Sequence, residues 1–214
     1  MTDPRPTLLI VSFSDIANDA RVKKQLLLFA EHYRVLSCGF GEQLRDDIPH
    51  IRLDSSESRF VRYLEAILLR LRWYRLTYWL HPWVRRTRRA LRGRSFDAAI
   101  ANDLDTLGVV LRIVGDERTH AELHEYFPGL YDQVPAWNRL RRPYLQWQLR
   151  AHATRAASVT TVSDTIAERY RAEFGFDSEV VRNAAPMQQL EPGPVSRPLR
   201  IVHSGERRRT GGSK

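Results

Sequence analysis

Thr7-Leu-Leu-Ile-Val-Ser-Phe13 is a continuous apolar run with β-branched residues, bounded by polar loop residues. So short and so apolar a run reads as a strand buried on both faces, as in a parallel sheet. Downstream, Asn18 and Asp19 can cap a helix from Ala20 to about Glu31, whose apolar stripe is Val22, Leu26 and Phe29. Arg34–Phe40 reads as a second strand and Ile48–Leu53 as a weaker third. Phe60–Leu80 and Pro82–Arg92 read as helices; Pro82 suits a first turn and Gly93 a stop. The alternation then resumes with a strand at Phe96–Ala101, a helix over about Thr106–Val114 and a strand at His120–His124. A helix follows from about Asn138 to Ala157, then a strand at Ser158–Val162. Ser163 or Thr165 caps the next helix, which stops at Gly175; Thr165–Glu168 has capping-box spacing. Glu179–Arg182 is the last strand of the set. Strands alternating with helices imply right-handed β-α-β units, hence an α/β fold with a doubly wound parallel sheet.

The 214 residues suit one domain, or one domain plus a remnant. An apolar fraction of 43% is enough to bury a sizeable core. The single cysteine, Cys38, excludes an intramolecular disulfide and suits a reducing cytoplasm. Met1–Pro6 carries an acid and two prolines, unlike a secretory signal, and no run of 18 apolar residues is present to span a membrane. Residues 1–183 are therefore expected to form one domain. Four prolines and Gly193 between Ala184 and Arg200 mark a linker over residues 184–199. Arg200–His203 begins a new apolar strand, and Glu206–Lys214 is charged and aperiodic. A lone strand does not make a domain, so residues 200–214 read as the start of an interrupted second domain plus a disordered tail.

In an open doubly wound sheet, ligands bind beyond the carboxyl ends of the strands. The polar residues there are Asn18, Asp19 and Arg21 after the first strand, and Asn102, Asp103 and Asp105 after the fourth. His124, Glu125 and Tyr126 follow the fifth, and Asn183 the last. Each has a plain structural alternative. Asn18 and Asp19 suit helix capping, as do Asp103 or Asp105, and His124 is either a core histidine or a site residue. Ser163 lacks a G-x-S-x-G elbow and is assigned to capping. The first loop lacks G-x-G-x-x-G, which argues against a dinucleotide-dependent oxidoreductase, and neither a P-loop nor Cys/His metal spacing is present.

The net charge of +9 is unevenly placed: Arg59–Arg94 holds eleven arginines and one acid, Glu65. On a helical wheel Phe60, Leu64, Ile67, Leu71, Tyr74 and Tyr78 share a face that reads as core. The opposite side carries Arg59, Arg62, Arg70 and Arg72, but also Leu69, Trp73 and Leu76. Arginines interleaved with apolar groups suit a membrane interface, with Arg85, Arg86 and Arg89 adding charge toward anionic lipid. The alternative is packing against a partner domain. Nothing beyond charge supports nucleic acid as a partner.

The same strand ends carry a family resemblance. Asn18-Asp-Ala-Arg-Val22, Asn102-Asp-Leu-Asp-Thr-Leu107, Glu122-Leu-His-Glu125, Val159-Thr-Thr-Val-Ser163 and Val180-Val-Arg-Asn183 resemble the amino-terminal domain of family 4 glycosyltransferases. Arg200-Ile-Val-His-Ser-Gly205 resembles the first strand and loop of that family's second domain. The resemblance implies a GT-B architecture, in which two Rossmann-like domains face each other across the active-site cleft. It also implies transfer of a hexose from a nucleotide-sugar substrate with retention, and neither metal nor further cofactor. In that scheme His124 lies against the donor sugar as the catalytic-site residue. Asn18, Asp19, Arg21, Asp103, Asp105, Glu125 and Asn183 face acceptor or donor. The first loop departs from the family in lacking its paired glycines, and the donor domain has no counterpart here. The expectation is a truncated enzyme, inactive by itself, working on a lipid-linked or polysaccharide acceptor at the inner face of the membrane. A non-catalytic acceptor-binding or membrane-docking module, paired with a separately encoded second domain, is the alternative.

Overall fold

A computed structural model describes residues 4–184 together with 187, 189, 191, 193 and 198. The chain divides into two compact units, Met1–Asn183 and Ala184–Lys214. Every helix and strand described below belongs to the first. The expected strand at Arg200–His203 and the tail after it lie outside the described residues.

The apolar run that opens the sequence becomes β1 (Thr7–Asp15), with Leu9, Ile10 and Val11 fully buried. Burial of each such side chain contributes roughly 1.5–3 kcal/mol. It is flanked by β2 (Arg34–Phe40) on one side and β4 (Ala98–Asn102) on the other, with Ile10 in register with Ser37 and Ile100. With β3 (His50–Arg52), β5 (Thr119–Leu123), β6 (Ser158–Thr161) and β7 (Glu179–Val180), the sheet runs β3-β2-β1-β4-β5-β6-β7, and every pairing is parallel. This is a Rossmann-like α/β fold. The strand order reverses between β1 and β4, so their carboxyl ends diverge into the crevice where such sheets bind ligands. In β2, Cys38 is wholly buried opposite Val11 and Ile51, and burial pushes its thiol up to about 12.

Helix α1 (Ala20–Phe29) covers one face through Val22 and Leu26, packed with Leu8, Ile10, Val35 and Ile100. The other face lies under α4 (Pro82–Ala90), α5 (Leu104–Val114), α6 (Pro135–Ala151) and α7 (Asp164–Phe174), whose Leu107, Leu149 and Tyr170 join the core of Leu9, Val11 and Leu123. Ser163, not Thr165, caps α7, its Oγ accepting from the Ile166 amide at 3.4 Å, and Gly175 ends it in the left-handed region.

The expected helix over residues 60–80 is two helices, α2 (Arg59–Arg70) and α3 (Tyr74–Leu80). Arg72 takes φ 57°, the Arg72 amide donates to Leu69 O at 3.1 Å, and the Trp73 amide donates to Leu68 O at 3.0 Å. That pair of bonds is a Schellman stop with arginine where glycine is usual. Two expectations fail for residues ahead of the break. Leu69, placed on the membrane side, is 4% exposed and packs with Tyr78, Val84, Val109 and Tyr144. Phe60 and Leu71, placed in the core, are 72% and 51% exposed.

Candidate functional site

Asp19 sits at the N-cap of α1, its carboxylate accepting from the Arg21 amide at 3.0 Å and from the Val22 amide at 3.5 Å. The same carboxylate takes both Nε and Nη2 of Arg21 at 3.3 Å, so one residue starts the helix and aims the guanidinium. Burial works against both charges, yet the pair holds Asp19 below and Arg21 above their ordinary values, with Asp103 and Glu122 adding to the pull on Arg21. Asn18 turns away: it is exposed and donates to Asp15 Oδ2 at 2.9 Å.

At the end of β4, Asp103 occupies the N-cap position of α5 but makes no side-chain cap bond. Its backbone, at φ 67° and ψ 160°, lies in a region nearly restricted to glycine. That conformation aligns its amide with Glu122 O at 2.9 Å and leaves its carboxylate half-buried beside Arg21. Burial pushes the Asp103 carboxyl up to about 6, against the pull of Arg21. Asn102, buried, donates to Gln25 Oε1 at 3.0 Å, while its own Oδ1 has no partner.

His124 follows β5 and is 6% exposed, with neither ring nitrogen in a hydrogen bond. Its Nε2 lies 3.5 Å from Glu122 Oε1. Burial, and then the Arg21 charge, lower the imidazole to about 4, so it is neutral at pH 7. Glu122 is pushed up to about 7 by burial; Arg21 opposes the rise, and Asp103 and Asp19 reinforce it. Glu122 was absent from the sequence-derived set. Its signal is the strand period, which puts it on the same face of β5 as His124. Arg21, Asp19, Asp103, Glu122 and His124 thus gather at the switch point. A neutral imidazole and a guanidinium stand there among carboxylates, an arrangement suited to sugar hydroxyls with one positive point for a phosphate.

Asp105 faces another way. It lies in the first turn of α5, past the non-helical Asp103, and its Oδ1 accepts from Gln148 on α6 at 3.0 Å. There it lines a cavity of about 170 Å³ with Phe13, Trp83 and Tyr144. Two side-chain contacts close the walls: His81 Nε2 lies 3.0 Å from Glu57 Oε1, and Arg141 makes a two-pronged ion pair with Glu65 at 2.6 and 3.0 Å. Apart from Glu65, the lone acid of the basic segment, these wall residues did not stand out in the sequence, because they come from loops and helices far apart in the chain. Glu125 is exposed, and Asn183 is exposed and accepts from Lys24 Nζ at 3.5 Å. Among the described residues no cluster of His, Cys, Asp and Glu is arranged to hold a metal ion.

Of the basic set, Arg62, Arg70, Arg85 and Arg89 are exposed, with Trp73 at 56% and Leu76 at 42%. Arg86 is instead half-buried and holds the preceding loop, donating to Asp54 O at 2.6 Å and Ser56 O at 2.8 Å. No helix of the described residues is long and apolar enough to cross a membrane.

Sheet order, switch-point crevice and strand-end polar groups define a ligand-binding domain of the doubly wound class. Residues 32–188, more than half of the chain, match the family model of Glycosyltransferase Family 4. The chain belongs to that family. A search of curated proteins found no match. Among solved structures it resembles the sucrose-phosphate synthase from Thermosynechococcus elongatus, with a TM-score of 0.58 at 12% identity, over 83% of this chain and 48% of that one. UGT73P12 from Glycyrrhiza uralensis, complexed with glycyrrhetinic acid 3-O-monoglucuronide, aligns over the same shares with a TM-score of 0.42 and 13% identity. The chain spans about half the length of the structures it matches. The likeness to the sucrose-phosphate synthase speaks to the fold alone, a Rossmann-like domain of the kind found in GT-B glycosyltransferases.

Proposed function

We propose that residues 1–183 are the acceptor-binding wall of a retaining, metal-independent hexosyltransferase. The enzyme moves sugar from a nucleotide-sugar donor to a membrane-associated glycolipid or polysaccharide. The observation that carries this reading is His124: a buried, neutral imidazole with both nitrogens unpartnered, beside the Arg21–Asp19 pair. Leaving such a group unsatisfied is costly unless a ligand completes it. A neutral imidazole can donate to, or accept from, a sugar hydroxyl without repelling the positive charge that develops at the anomeric carbon. Arg21, oriented by Asp19, meets the phosphate of the departing nucleotide. The aromatic-walled cavity beside Asp105 has the volume of roughly one sugar ring and suits the acceptor. The wall that grips the nucleotide belongs to a second Rossmann-like half, so residues 1–214 alone bind acceptor without turning over donor.

The test fuses this chain to the donor-binding half of a family member and follows labelled sugar into a lipid extract. His124→Ala should lower turnover about a hundredfold or more, the cost of removing one well-placed polar group in such a site, while acceptor binding and melting temperature stay close to wild type. Rapid transfer by residues 1–214 alone, or undiminished turnover in the variant, would overturn the assignment. Acceptor binding with no transfer by the fusion would favour the non-catalytic module.

Membrane attachment is supported by a separate observation, the exposed Trp73, Leu76 and Leu80 among arginines of α2 to α4. Flotation with anionic vesicles should recover the protein, less of it as salt rises, and a Trp73→Ser/Leu76→Ser variant should stay behind. Equal recovery of wild type and variant would reject this surface as the contact.

A further inference from the structure

On the helical layer, away from the strand-end crevice, a second concavity of about 550 Å³ opens between α3, α4, α5 and the end of α6. Its floor lies at Gly108, midway along α5, and His152, at the end of α6; its lower rim, Arg155, pairs with Asp116 just before β5. That is the amino-terminal side of the sheet, opposite the end that carries His124.

Four guanidinium groups from four separate elements line it: Arg75, Arg88, Arg112 and Arg155. Only Arg155 has an acidic partner. Arg75, Arg88 and Arg112 make no ion pair or hydrogen bond among the described residues, and all three are exposed. Like charges gathered this way repel one another unless an anion sits among them. Trp79 and Trp147 supply flat walls that thin the water around such an anion and so strengthen its attraction.

A second observation is independent of the charge. His152 is 5% exposed, yet neither of its ring nitrogens has a hydrogen-bond partner. Its Nε2 lies against Gly108, close enough that a Cβ there would stand 2.7 Å from it. The missing side chain makes a notch in α5 that the rings of His152 and Tyr78 fill, and of these His152 also lines the concavity. The ring of His152 lines the concavity, while both of its nitrogens are closed off from solvent, Nε2 against Gly108 of α5.

We propose that this concavity is a binding site for a phosphate ester, held by Arg75, Arg88 and Arg112 with His152 beneath. Guanidinium forks match the paired oxygens of a phosphate, and the His152 ring beneath them lies close enough to report on its arrival. Arg75, Trp79 and Trp147 also border a neighbouring groove of about 580 Å³ floored by Trp73, Tyr74 and Leu76. An acyl or isoprenoid tail has a place there when the ester is that of a lipid. The same phosphate chemistry also occurs in a small water-soluble ester, and the two sources differ only in use of the groove.

The experiment uses the whole chain with glycerol 3-phosphate, glycerol, and dihexanoyl phosphatidic acid below its micelle concentration. Binding is followed by the His152 ring resonances and by titration calorimetry. The expected result is a shift of the His152 signals with both phosphate esters and none with glycerol. An Arg88→Gln/Arg112→Gln variant should bind about tenfold or more weakly with unchanged melting temperature. Tighter binding of the phosphatidic acid, lost in Trp73→Ser, identifies a lipid; equal binding of the two esters identifies a soluble one. Both support the site. Unmoved His152 signals, or undiminished affinity in the double-arginine variant, would overturn it. Because His124 is untouched, the transfer assay above is scored separately.

Discussion

Gly108→Ala should destabilise the protein, although alanine in the middle of a helix normally gains about 1 kcal/mol over glycine. The added Cβ would lie 2.7 Å from Tyr78 Cζ, 2.8 Å from Tyr78 Cε1 and 2.7 Å from His152 Nε2. Neither ring can retreat cheaply. Tyr78 is 1% exposed, and its hydroxyl donates to Asp105 O at 3.0 Å and accepts from the Val109 amide at 2.8 Å. His152 is wedged between Tyr78 and Trp147, with ring centroids 4.9 and 5.4 Å away. Overpacking of this kind costs roughly 1–3 kcal/mol, and each tyrosine hydrogen bond strained or lost adds about 1 kcal/mol. Set against the helical gain, the net loss is about 2 kcal/mol. For a chain of this size that is a fall of roughly 4–8 °C in melting temperature, measurable by circular dichroism. A rise in melting temperature would refute the reasoning, since it would mean that α5 and the two rings separate freely.

Asp103→Gly should be about 1–2 kcal/mol more stable than Asp103→Ala in urea unfolding, because both lose the carboxylate but only glycine tolerates φ 67° and ψ 160° without strain; equal stabilities would remove the strain argument. Glu122→Gln should show a pH-dependent gain. A carboxyl raised to about 7 in the folded state contributes stability below its unfolded value that is lost as pH climbs through 7. The variant should therefore exceed wild type by roughly 2–3 kcal/mol at pH 8 and match it near pH 4. A difference that does not change with pH would place Glu122 in ordinary solvent.

The strands were legible because a buried parallel strand announces itself locally: Thr7–Phe13 and Arg34–Phe40 need only their own apolar character to be read. Strand ends then followed from fold logic, which brought Asp19, Arg21, Asp103 and His124 into view. Grouping Asp105 with Asp103 failed because Asp103 stays outside the helix at φ 67°, while Asp105 lies in the first turn of α5 and bonds Gln148. Glu122 escaped because what distinguishes it is its half-buried setting within the fields of Arg21 and Asp103, which only the fold brings together. The break at Arg72 was invisible for a related reason. A helix stop normally shows as glycine, and here backbone bonds to Leu68 and Leu69 impose the turn on an arginine. The positions after the stop still fall on the expected sides, Tyr74 and Tyr78 inward and Trp73 and Leu76 outward, whereas Leu71, the last residue before it, is exposed at the helix end. Leu69, just before the stop, was misplaced by packing against α5 and α6 that no local pattern reveals.

Cys38 gives the protein a clock. A thiol raised from 9.0 to about 12 holds about a thousandfold less thiolate than its ordinary counterpart, and β1 and β3 flank the strand that carries it. An alkylating reagent must wait until that strand opens, so the appearance of a single mass increment times the parting of the sheet next to its centre. Since the chain has no other cysteine, a thiol placed on the arginine-rich surface would react at once and on its own. The two labels would separate events at the surface from the opening of the sheet within one sample.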